Sequence, residues 1–186
     1  MNARPGRILA LAGSLRAASF NRALVHAFAA LAPVGAVDVY EDLGALPLMN
    51  EDTEAAAFAA GPVRELCARV ARADALFIAT PEYNHAPPGV LKNALDWLSR
   101  PLAGGVLAGK PVALAGASTG RWGTRLAQAG LRQVLFALDA NVLPGNAIYV
   151  ANAAATFDAQ GRVTDAALQR SLEAVIQALD RACRTA

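Results

Sequence analysis

Residue types that usually carry metal sites or covalent catalysis are scarce in this chain. Its 186 residues include only two cysteines and two histidines. Cys67 and Cys183 stand far apart and form neither a CxxC motif nor a metal-ligand spacing. Both fall in helical patterns, so we predict that they are inert packing residues. No Ser/His/Asp set and no convincingly spaced pair of carboxylates is present either. The sequence therefore predicts no metal site and no side-chain nucleophile.

An excess of charge of one sign is also lacking. Seventeen basic and fifteen acidic side chains leave a formal net charge of +2, and only two of the basic residues are lysines. The arginines are scattered along the chain, which argues against a nucleic-acid surface or a polybasic membrane anchor. The longest uncharged stretch, Ala140–Phe157, is interrupted by Asn, Pro and Gly and does not predict a membrane span. The apolar run near the N-terminus leads directly into a glycine loop and predicts a strand, not a signal peptide. We expect a cytoplasmic protein without nucleic-acid or membrane partners.

Hydrophobic residues, in contrast, are plentiful. They make up 55% of the chain, although 45 residues are alanine, which adds little core volume. This composition excludes wholesale disorder. We find no internal repeat or linker, and the length suits one compact domain, which we predict over residues 1–186.

Short apolar runs alternate with helical patterns along the chain. The predicted strands are Ile8–Gly13, Ala36–Tyr40, Ala75–Thr80, Pro111–Ser118 and a last strand within residues 141–150. The predicted helices begin at an N-cap at Asn21, at Pro62, at Pro87–Gly89, near Ala127 and behind a cap at Thr164, and Leu43–Thr53 is expected to be a loop. This alternation implies a parallel sheet with helices on both faces. Ligands of such sheets bind beyond the carboxyl ends of the strands.

The first loop at that edge, Gly13–Arg22, leads from a strand into a helix. The free N–H groups at a helix N-terminus favour a phosphate. Ser14 and Ser19 add hydroxyls, Asn21 an amide and Arg16 a planar charged group. Neither GKS/GKT nor GxGxxG is present, so a single phosphate monoester suits the loop better than a Mg-nucleotide or a dinucleotide pyrophosphate. The alternative is an ordinary strand-to-helix turn rich in Ser and Asn.

The second loop, Pro81–Gly89, follows a buried strand and is rich in turn-forming residues. Tyr83 offers an aromatic face, and Glu82 and Asn84 offer polar groups, which together suit a flat heterocycle. The alternative is a rigid turn in which Asn84 caps the next helix and Tyr83 packs. His85 lies on the same turn and is a lesser candidate for substrate contact.

The third loop, Gly116–Gly123, combines glycines with hydrogen-bonding side chains. Glycine allows a ligand to approach the backbone closely. Ser118 and Thr119 can donate hydrogen bonds, and Arg121 and Trp122 are candidates for contact with a second ligand. Trp122 equally suits a hydrophobic edge or a subunit contact.

Three segments resemble the NADPH-dependent FMN reductase family: GSLRAASFNR (13–22), PEYNHAPPGVLKNALDW (81–97) and GASTGRWGTRLAQAGLRQVL (116–135). The second is the most specific. The resemblance implies an α/β, flavodoxin-like, doubly wound five-stranded parallel sheet in the order 2-1-3-4-5, with helices on both faces. It implies FMN contacts from Ser14, Leu15, Arg16, Ser19, Phe20, Asn21 and Arg22 near the phosphate, from Pro81, Glu82, Tyr83 and Asn84 along the isoalloxazine ring, and from Ser118, Thr119 and Gly120 at its other edge. The family often has an arginine where this chain has Leu126. Because Arg125 stands one position earlier, its role is left open.

The resemblance also implies a function. Bound FMN would accept a hydride from NADPH or NADH and pass electrons to a small-molecule acceptor such as a quinone, a free flavin, an azo compound or chromate, in a ping-pong reaction. No catalytic side chain is then required, and Arg121 is a candidate contact for a phosphate of NAD(P)H. Homodimers or homotetramers are implied as well.

Two other classes of protein share this architecture. A flavodoxin-type electron carrier has the same fold without enzymatic activity, and a regulatory protein would have lost the flavin. Carriers of that type tend to be strongly acidic, so the weakly basic charge of this chain favours the enzyme.

Overall fold

Six strands form one parallel sheet in residues 6–185, the part of the chain that the computed structural model describes. The strands are Ile8–Ala12 (β1), Val37–Tyr40 (β2), Ala75–Ala79 (β3), Pro111–Ala117 (β4), Asn141–Val142 (β5) and Ile148–Val150 (β6). Their order is β2-β1-β3-β4-β5, and β6 also pairs with β4. This confirms the predicted order. The first five residues and the last residue of the predicted domain lie outside the described part.

The predicted last strand is divided into two short segments that pair with β4 one after the other. β5 lies beside the start of β4, at Pro111 and Val112, and β6 lies beside its end. The residues between them include Pro144, which has no N–H to donate, and Gly145, which has a φ of 74°. Pairing is therefore interrupted at that point.

Helices cover both faces of the sheet. They are Phe20–Leu31 (α1), Glu54–Ala59 (α2), Pro62–Arg72 (α3), Gly89–Leu98 (α4), Arg125–Ala137 (α5) and Ala166–Thr185 (α6). The short helix α2 follows the predicted loop and was not expected. Within residues 6–185, no helix is long and apolar enough to cross a bilayer.

Two helix caps differ from the sequence predictions. Ser19, not Asn21, is the N-cap of α1, because the Ser19 hydroxyl accepts a hydrogen bond from the Asn21 amide at 3.2 Å. At the start of α6, the carboxylate of Asp165 accepts a hydrogen bond from the Leu168 amide at 2.6 Å. Thr164 instead donates its hydroxyl hydrogen bond to a carbonyl of the preceding loop. All of these residue types are good caps, so composition alone could not distinguish them.

The two faces of the sheet carry side chains of different size. Leucine, isoleucine and valine side chains of β1, β3 and β4 face α3, α4 and α5. Alanines dominate the opposite face, towards α1 and α6, where Phe28 stacks on Phe77 with ring centroids 3.9 Å apart. The small alanine side chains leave room for α1 to pack against this face. Because α1 follows β1 in the chain, its N-terminus lies at the carboxyl ends of the strands.

Two residues of the segment 81–97, the most specific of the three sequence motifs, hold the loop Leu43–Thr53 in place. The Trp97 indole and the Asn93 side-chain amide both donate to the Pro47 carbonyl, at 2.8 and 2.9 Å. The Asn93 side-chain oxygen also accepts from the Met49 amide at 2.8 Å. Asn93 and Trp97 therefore fix the predicted loop Leu43–Thr53 against α4, beside the carboxyl ends of the strands.

Candidate functional site

The three predicted loops meet at the carboxyl ends of β1, β3 and β4. They enclose a cavity of about 190 Å³, which we call the loop cavity. Its lining consists of Ser14, Arg16, Ser19, Phe20, Asn21, Pro81, Glu82, Tyr83, Ala117, Ser118 and Thr119. Ten of the fourteen residues implied by the family resemblance are among them. Leu15, Arg22, Asn84 and Gly120 lie outside the lining.

The first loop presents unpaired hydrogen-bond donors to the loop cavity. The Ser14 hydroxyl accepts a hydrogen bond from the Arg16 amide at 3.4 Å, which folds the loop back on itself. At the start of α1, the amides of Phe20 and Arg22 have no hydrogen-bond acceptor among residues 6–185. Such amides, together with the partial positive charge of a helix N-terminus, attract an anion.

The two arginines of the first loop differ in their surroundings. The exposed Arg16 side chain has no carboxylate or other hydrogen-bond partner within the described residues. Arg22 instead faces Glu41, with its Nε and Nη2 at 3.0 and 2.9 Å from one carboxylate oxygen. His26 Nε2 lies 3.0 Å from the same oxygen. Burial alone would raise the pKa of Glu41, but the His26 hydrogen bond and the Arg22 charge lower it overall. Arg16 is thus the arginine available to a ligand.

Asn21 connects two walls of the loop cavity. Its side chain is 3% exposed, donates to the Ala117 carbonyl at 2.9 Å and accepts from the Ala117 amide at 2.8 Å. These bonds join α1 to the end of β4, immediately before Ser118. Asn21 therefore positions the first and third loops, a role that needs a partner too distant in sequence for pattern analysis to find.

The second loop forms a tight turn with an exposed aromatic ring. The backbones of Tyr83 and Ala86 exchange two hydrogen bonds of 3.0 Å, and Asn84 and His85 between them have positive φ angles. Tyr83 lines the cavity and is 53% exposed as a residue. The alternative role for Asn84 is not observed, because α4 begins behind Pro88 without a side-chain cap.

Glu82 holds the second loop to α5. Its carboxylate accepts hydrogen bonds from the amides of Leu126 and Ala127, at 2.9 and 3.0 Å. A carboxylate at a helix N-terminus is stabilised by the free amides and the helix dipole. The sequence predicts Glu82 as a polar group beside a flat heterocycle. Its contact with the start of α5, more than forty residues away, was not predicted.

The third loop leaves β4 at a position that requires glycine. A Cβ on Gly116 would lie 2.5 Å from the Thr80 carbonyl oxygen and would also collide with the Thr124 hydroxyl. Beyond it, the Ser118 hydroxyl accepts a hydrogen bond from the Gly120 amide at 3.0 Å. The loop is therefore packed closely against the neighbouring strand and presents Ser118 and Thr119 to the cavity.

An exposed group of aromatic and basic side chains flanks the third loop. The Arg121 guanidinium lies 4.8 Å from the centroid of the Trp122 ring. Arg125 lies 5.7 Å from that ring and 5.8 Å from the Tyr149 ring. Neither arginine has an ion-pair partner within residues 6–185. These contacts leave Arg121 and Arg125 as positive charges beside the loop cavity.

The loop cavity fits one end of a flavin mononucleotide. Its volume is below the roughly 300–1,000 Å³ of enclosed ligand pockets, so a phosphate and sugar chain would fill it and leave a ring system at the mouth. The unpaired Arg16 guanidinium and the two free amides of α1 are donors suited to a phosphate. Tyr83 lines the same cavity and is exposed, so its aromatic side chain is available to a flat ring.

Metal sites and reactive thiols are the other sources of chemistry to consider among the described residues. No group of three or more potential metal-ligating side chains occurs among them. Cys67 is buried, which raises the pKa of its thiol to about 11, and burial also raises the pKa of Cys183. Both thiols are therefore poor nucleophiles at neutral pH.

Comparisons with known proteins point to one family. The sequence profile of the NADPH-dependent FMN reductases matches residues 6–155. An NAD(P)H-dependent FMN reductase of Pseudomonas aeruginosa is 42% identical over 173 residues, which cover 93% of this chain and 92% of that protein. A 2-hydroxy-1,4-benzoquinone reductase of a Burkholderia species is 40% identical over 167 residues, or 90% of each chain. The structure of FerB, a flavoenzyme NAD(P)H:(acceptor) oxidoreductase from Paracoccus denitrificans, superposes with a TM-score of 0.83 at 32% identity, over 97% of this chain and 98% of that one.

Proposed function

The chain belongs to the NADPH-dependent FMN reductase family, and on that basis we propose that it reduces quinones with electrons from NAD(P)H through bound FMN. The relatives are oxidoreductases, which favours an enzyme over a non-enzymatic electron carrier. The observation that carries the proposal is the unpaired Arg16 guanidinium beside the free amides of α1.

We assign the predicted site residues to separate parts of the flavin. Ser14, Arg16, Ser19 and Phe20 would hold the phosphate, because they surround the free amides of the first loop. Pro81 and Tyr83 would lie along the ring, and Ser118 and Thr119 would form the opposite wall. Asn21 and Glu82 act as positioning residues, since their polar atoms already bind backbone groups.

When bound, FMN supplies the two-electron chemistry that the side chains lack, by accepting a hydride from NAD(P)H and returning electrons to an acceptor. The chain would hold the cofactor by its phosphate and would leave one side of the ring open beside Tyr83. Donor and acceptor would occupy that open side in turn, so we expect ping-pong kinetics, seen as parallel lines in double-reciprocal plots. Arg121 is the proposed contact for a phosphate of the nicotinamide nucleotide, because its charge lies unpaired beside the site.

Replacing Arg16 by alanine tests the phosphate assignment. A charge-assisted hydrogen bond contributes about 1.5–3 kcal/mol, so Arg16→Ala is expected to weaken FMN about 10- to 150-fold. Riboflavin has no phosphate, so its binding should change little. Both dissociation constants are measured by quenching of flavin fluorescence in the flavin-free protein.

Arg22→Ala is the matched control, because Arg22 is bound to Glu41 rather than free. It should leave the ratio of FMN to riboflavin affinity nearly unchanged. Equal losses of FMN and riboflavin in Arg16→Ala would remove Arg16 from the phosphate site. A wild-type protein that leaves the flavin spectrum and fluorescence unchanged would refute the proposal as a whole.

An open side of the flavin ring would determine which acceptors the enzyme reduces. We propose quinones as the main acceptors and free flavins, azo compounds and chromate as further ones, because an open flavin face accepts many flat or oxidising molecules. A panel of these acceptors with NADPH and NADH in parallel measures both preferences. Flavin that is bound but shows no steady oxidation of NAD(P)H with any acceptor would favour the electron carrier.

We also propose that the protein is a homodimer or homotetramer built on α5. Leu126, Ala129, Gln133 and Phe136 recur at spacings of three and four residues on the exposed side of this helix, and Phe136 is 82% exposed. An antiparallel second copy would place Leu126 against the partner's Phe136. Leu126→Glu should then lower the mass measured by sedimentation equilibrium, whereas an unchanged mass would exclude α5 from the contact.

Two further properties complete the proposal. We propose that residues 1–186 form a single flavodoxin-like domain, since the described part has one continuous sheet. We place the enzyme in the cytoplasm, because NAD(P)H is available there and because both cysteines are free, as is typical of a reducing compartment. Cell fractionation with an antibody against the protein tests the location.

A further inference from the structure

A second, larger cavity begins at the phosphate loop. Its volume is about 760 Å³, and we call it the α1 groove. It runs between the first turns of α1 and the turn at residues 157–161, and it shares Arg16, Ser19 and Phe20 with the loop cavity. A ligand that continued beyond the flavin phosphate would therefore enter it directly.

The floor and sides of the α1 groove are suited to a flat base attached to a sugar. Phe20 and Phe157 both line it, with ring centroids 5.5 Å apart, and Ala23 contributes only a methyl group from α1. His26 and Gln160 line the groove as well. His26 Nε2 lies 3.0 Å from Glu41, and Gln160 Oε1 accepts a hydrogen bond from Arg162, so His26 Nδ1 and the Gln160 NH2 group are left for the edge of a purine.

The far side of the α1 groove is held in shape by a closed turn. The Asp158 carboxylate accepts hydrogen bonds from the amides of Gln160 and Arg162, both at 2.9 Å, and from the Arg162 guanidinium at 2.7 Å. These hydrogen bonds lower the pKa of Asp158, and the charge of the Arg162 guanidinium offsets that of the carboxylate. Arg16 remains the unpaired charge at the junction of the two cavities.

We propose that the α1 groove is an adenylate site through which the protein also binds FAD. This inference rests on the proposed flavin site, because FAD contains the FMN unit. The FMN half would occupy the loop cavity, the pyrophosphate would lie beside Arg16, and the adenosine would lie between α1 and the turn at 157–161. The adenylate half of NADPH has the same chemistry, and the test therefore includes it.

The experiment compares FMN and FAD binding to the flavin-free full-length protein by fluorescence quenching. Wild type is expected to bind both flavins. Ala23→Phe fills the groove beside the Phe20–Phe157 pair and is expected to weaken FAD by about tenfold or more, while FMN changes less than about twofold. Gln160→Trp, in the exposed turn, should have the same selective effect without altering a packed position. Ala30→Phe is the matched control, because Ala30 lies further along α1, outside this groove.

The possible results separate the two proposals. FMN binding without FAD binding would overturn the adenylate site and leave the FMN site intact. Equal effects of Ala23→Phe and Ala30→Phe on FAD would overturn it too. Unaltered FAD binding with a raised KM for NADPH in Ala23→Phe would overturn it in favour of the nicotinamide dinucleotide. Failure of both flavins to bind would overturn both proposals.

Discussion

Replacing Asn21 by alanine tests whether its side chain connects α1 to β4. The wild-type side chain is nearly inaccessible to solvent and forms hydrogen bonds to both polar backbone groups of Ala117. In Asn21→Ala, the N–H and the carbonyl of Ala117 lose these partners at the same time. The free energy of unfolding should fall, and the walls of the loop cavity should become less firmly held.

The expected loss follows from the number of groups left without partners. A buried polar group without a hydrogen bond costs about 1–3 kcal/mol, so two cost about 2–6 kcal/mol. A water molecule entering the space left by the amide would move the loss towards the lower limit. In a protein of this size, each kcal/mol shifts Tm by about 2–4 °C, so Tm should fall by roughly 4–24 °C.

Urea unfolding of the flavin-free protein, followed by circular dichroism, measures this loss. Flavin must be absent because a ligand bound to the native state adds its own stabilisation. Asn146→Ala is the control, since the Asn146 amide makes a single exposed contact, with the Pro144 carbonyl at 3.0 Å. That control should stay within about 0.5 kcal/mol of wild type. A loss no larger than the control's in Asn21→Ala would refute the assigned role.

Two other predictions concern stability. Gly116→Ala places a Cβ 2.5 Å from the Thr80 carbonyl oxygen, so overpacking should lower the free energy of unfolding by about 1–3 kcal/mol or more. Gly89→Ala, where a Cβ meets nothing within 4 Å, should unfold at or above the wild-type Tm, and similar behaviour of the two variants would contradict the packing argument. For Glu41, whose folded-state pKa is lowered, stabilisation is present above the ordinary carboxyl pKa and lost as the pH falls through the lowered value. The stability difference between wild type and Glu41→Gln should therefore shrink at acid pH, and a pH-independent difference in urea unfolding would count against this ion pair.

The sequence was sufficient for the features that depend on local pattern. Continuous apolar runs predicted β3 and β4, because strands covered on both faces have no polar side to reveal. Alternation of strands and helices predicted the parallel sheet, and the positions of three loops after buried strands predicted where they would meet. The sequence predicts a single last strand within residues 141–150, and the local pattern does not show that two short strands, β5 and β6, pair with β4 on either side of Pro144 and Gly145.

The parts of the site that escaped prediction depend on contacts distant in the sequence. Asn21 is a good helix cap by type, and only the fold reveals that its partner is Ala117, 96 residues away. Arg22 resembles Arg16 in the sequence, yet Glu41 neutralises only Arg22. Similarly, the capping of α5 by Glu82 spans more than forty residues. The local sequence shows which polar side chains are present near the site. It does not show which of them bind other parts of the protein and which stay free for a ligand.

The interruption between β5 and β6 has a consequence for association through the sheet edges. An exposed edge strand offers unpaired backbone groups that can recruit strands from other molecules and start aggregation. Here one edge is broken into runs of two and three residues, and the other, β2, is four residues long and carries the exposed charge of Asp38. Neither edge provides a long, flat template, so a concentrated solution of the folded protein should resist growth of intermolecular β-sheet.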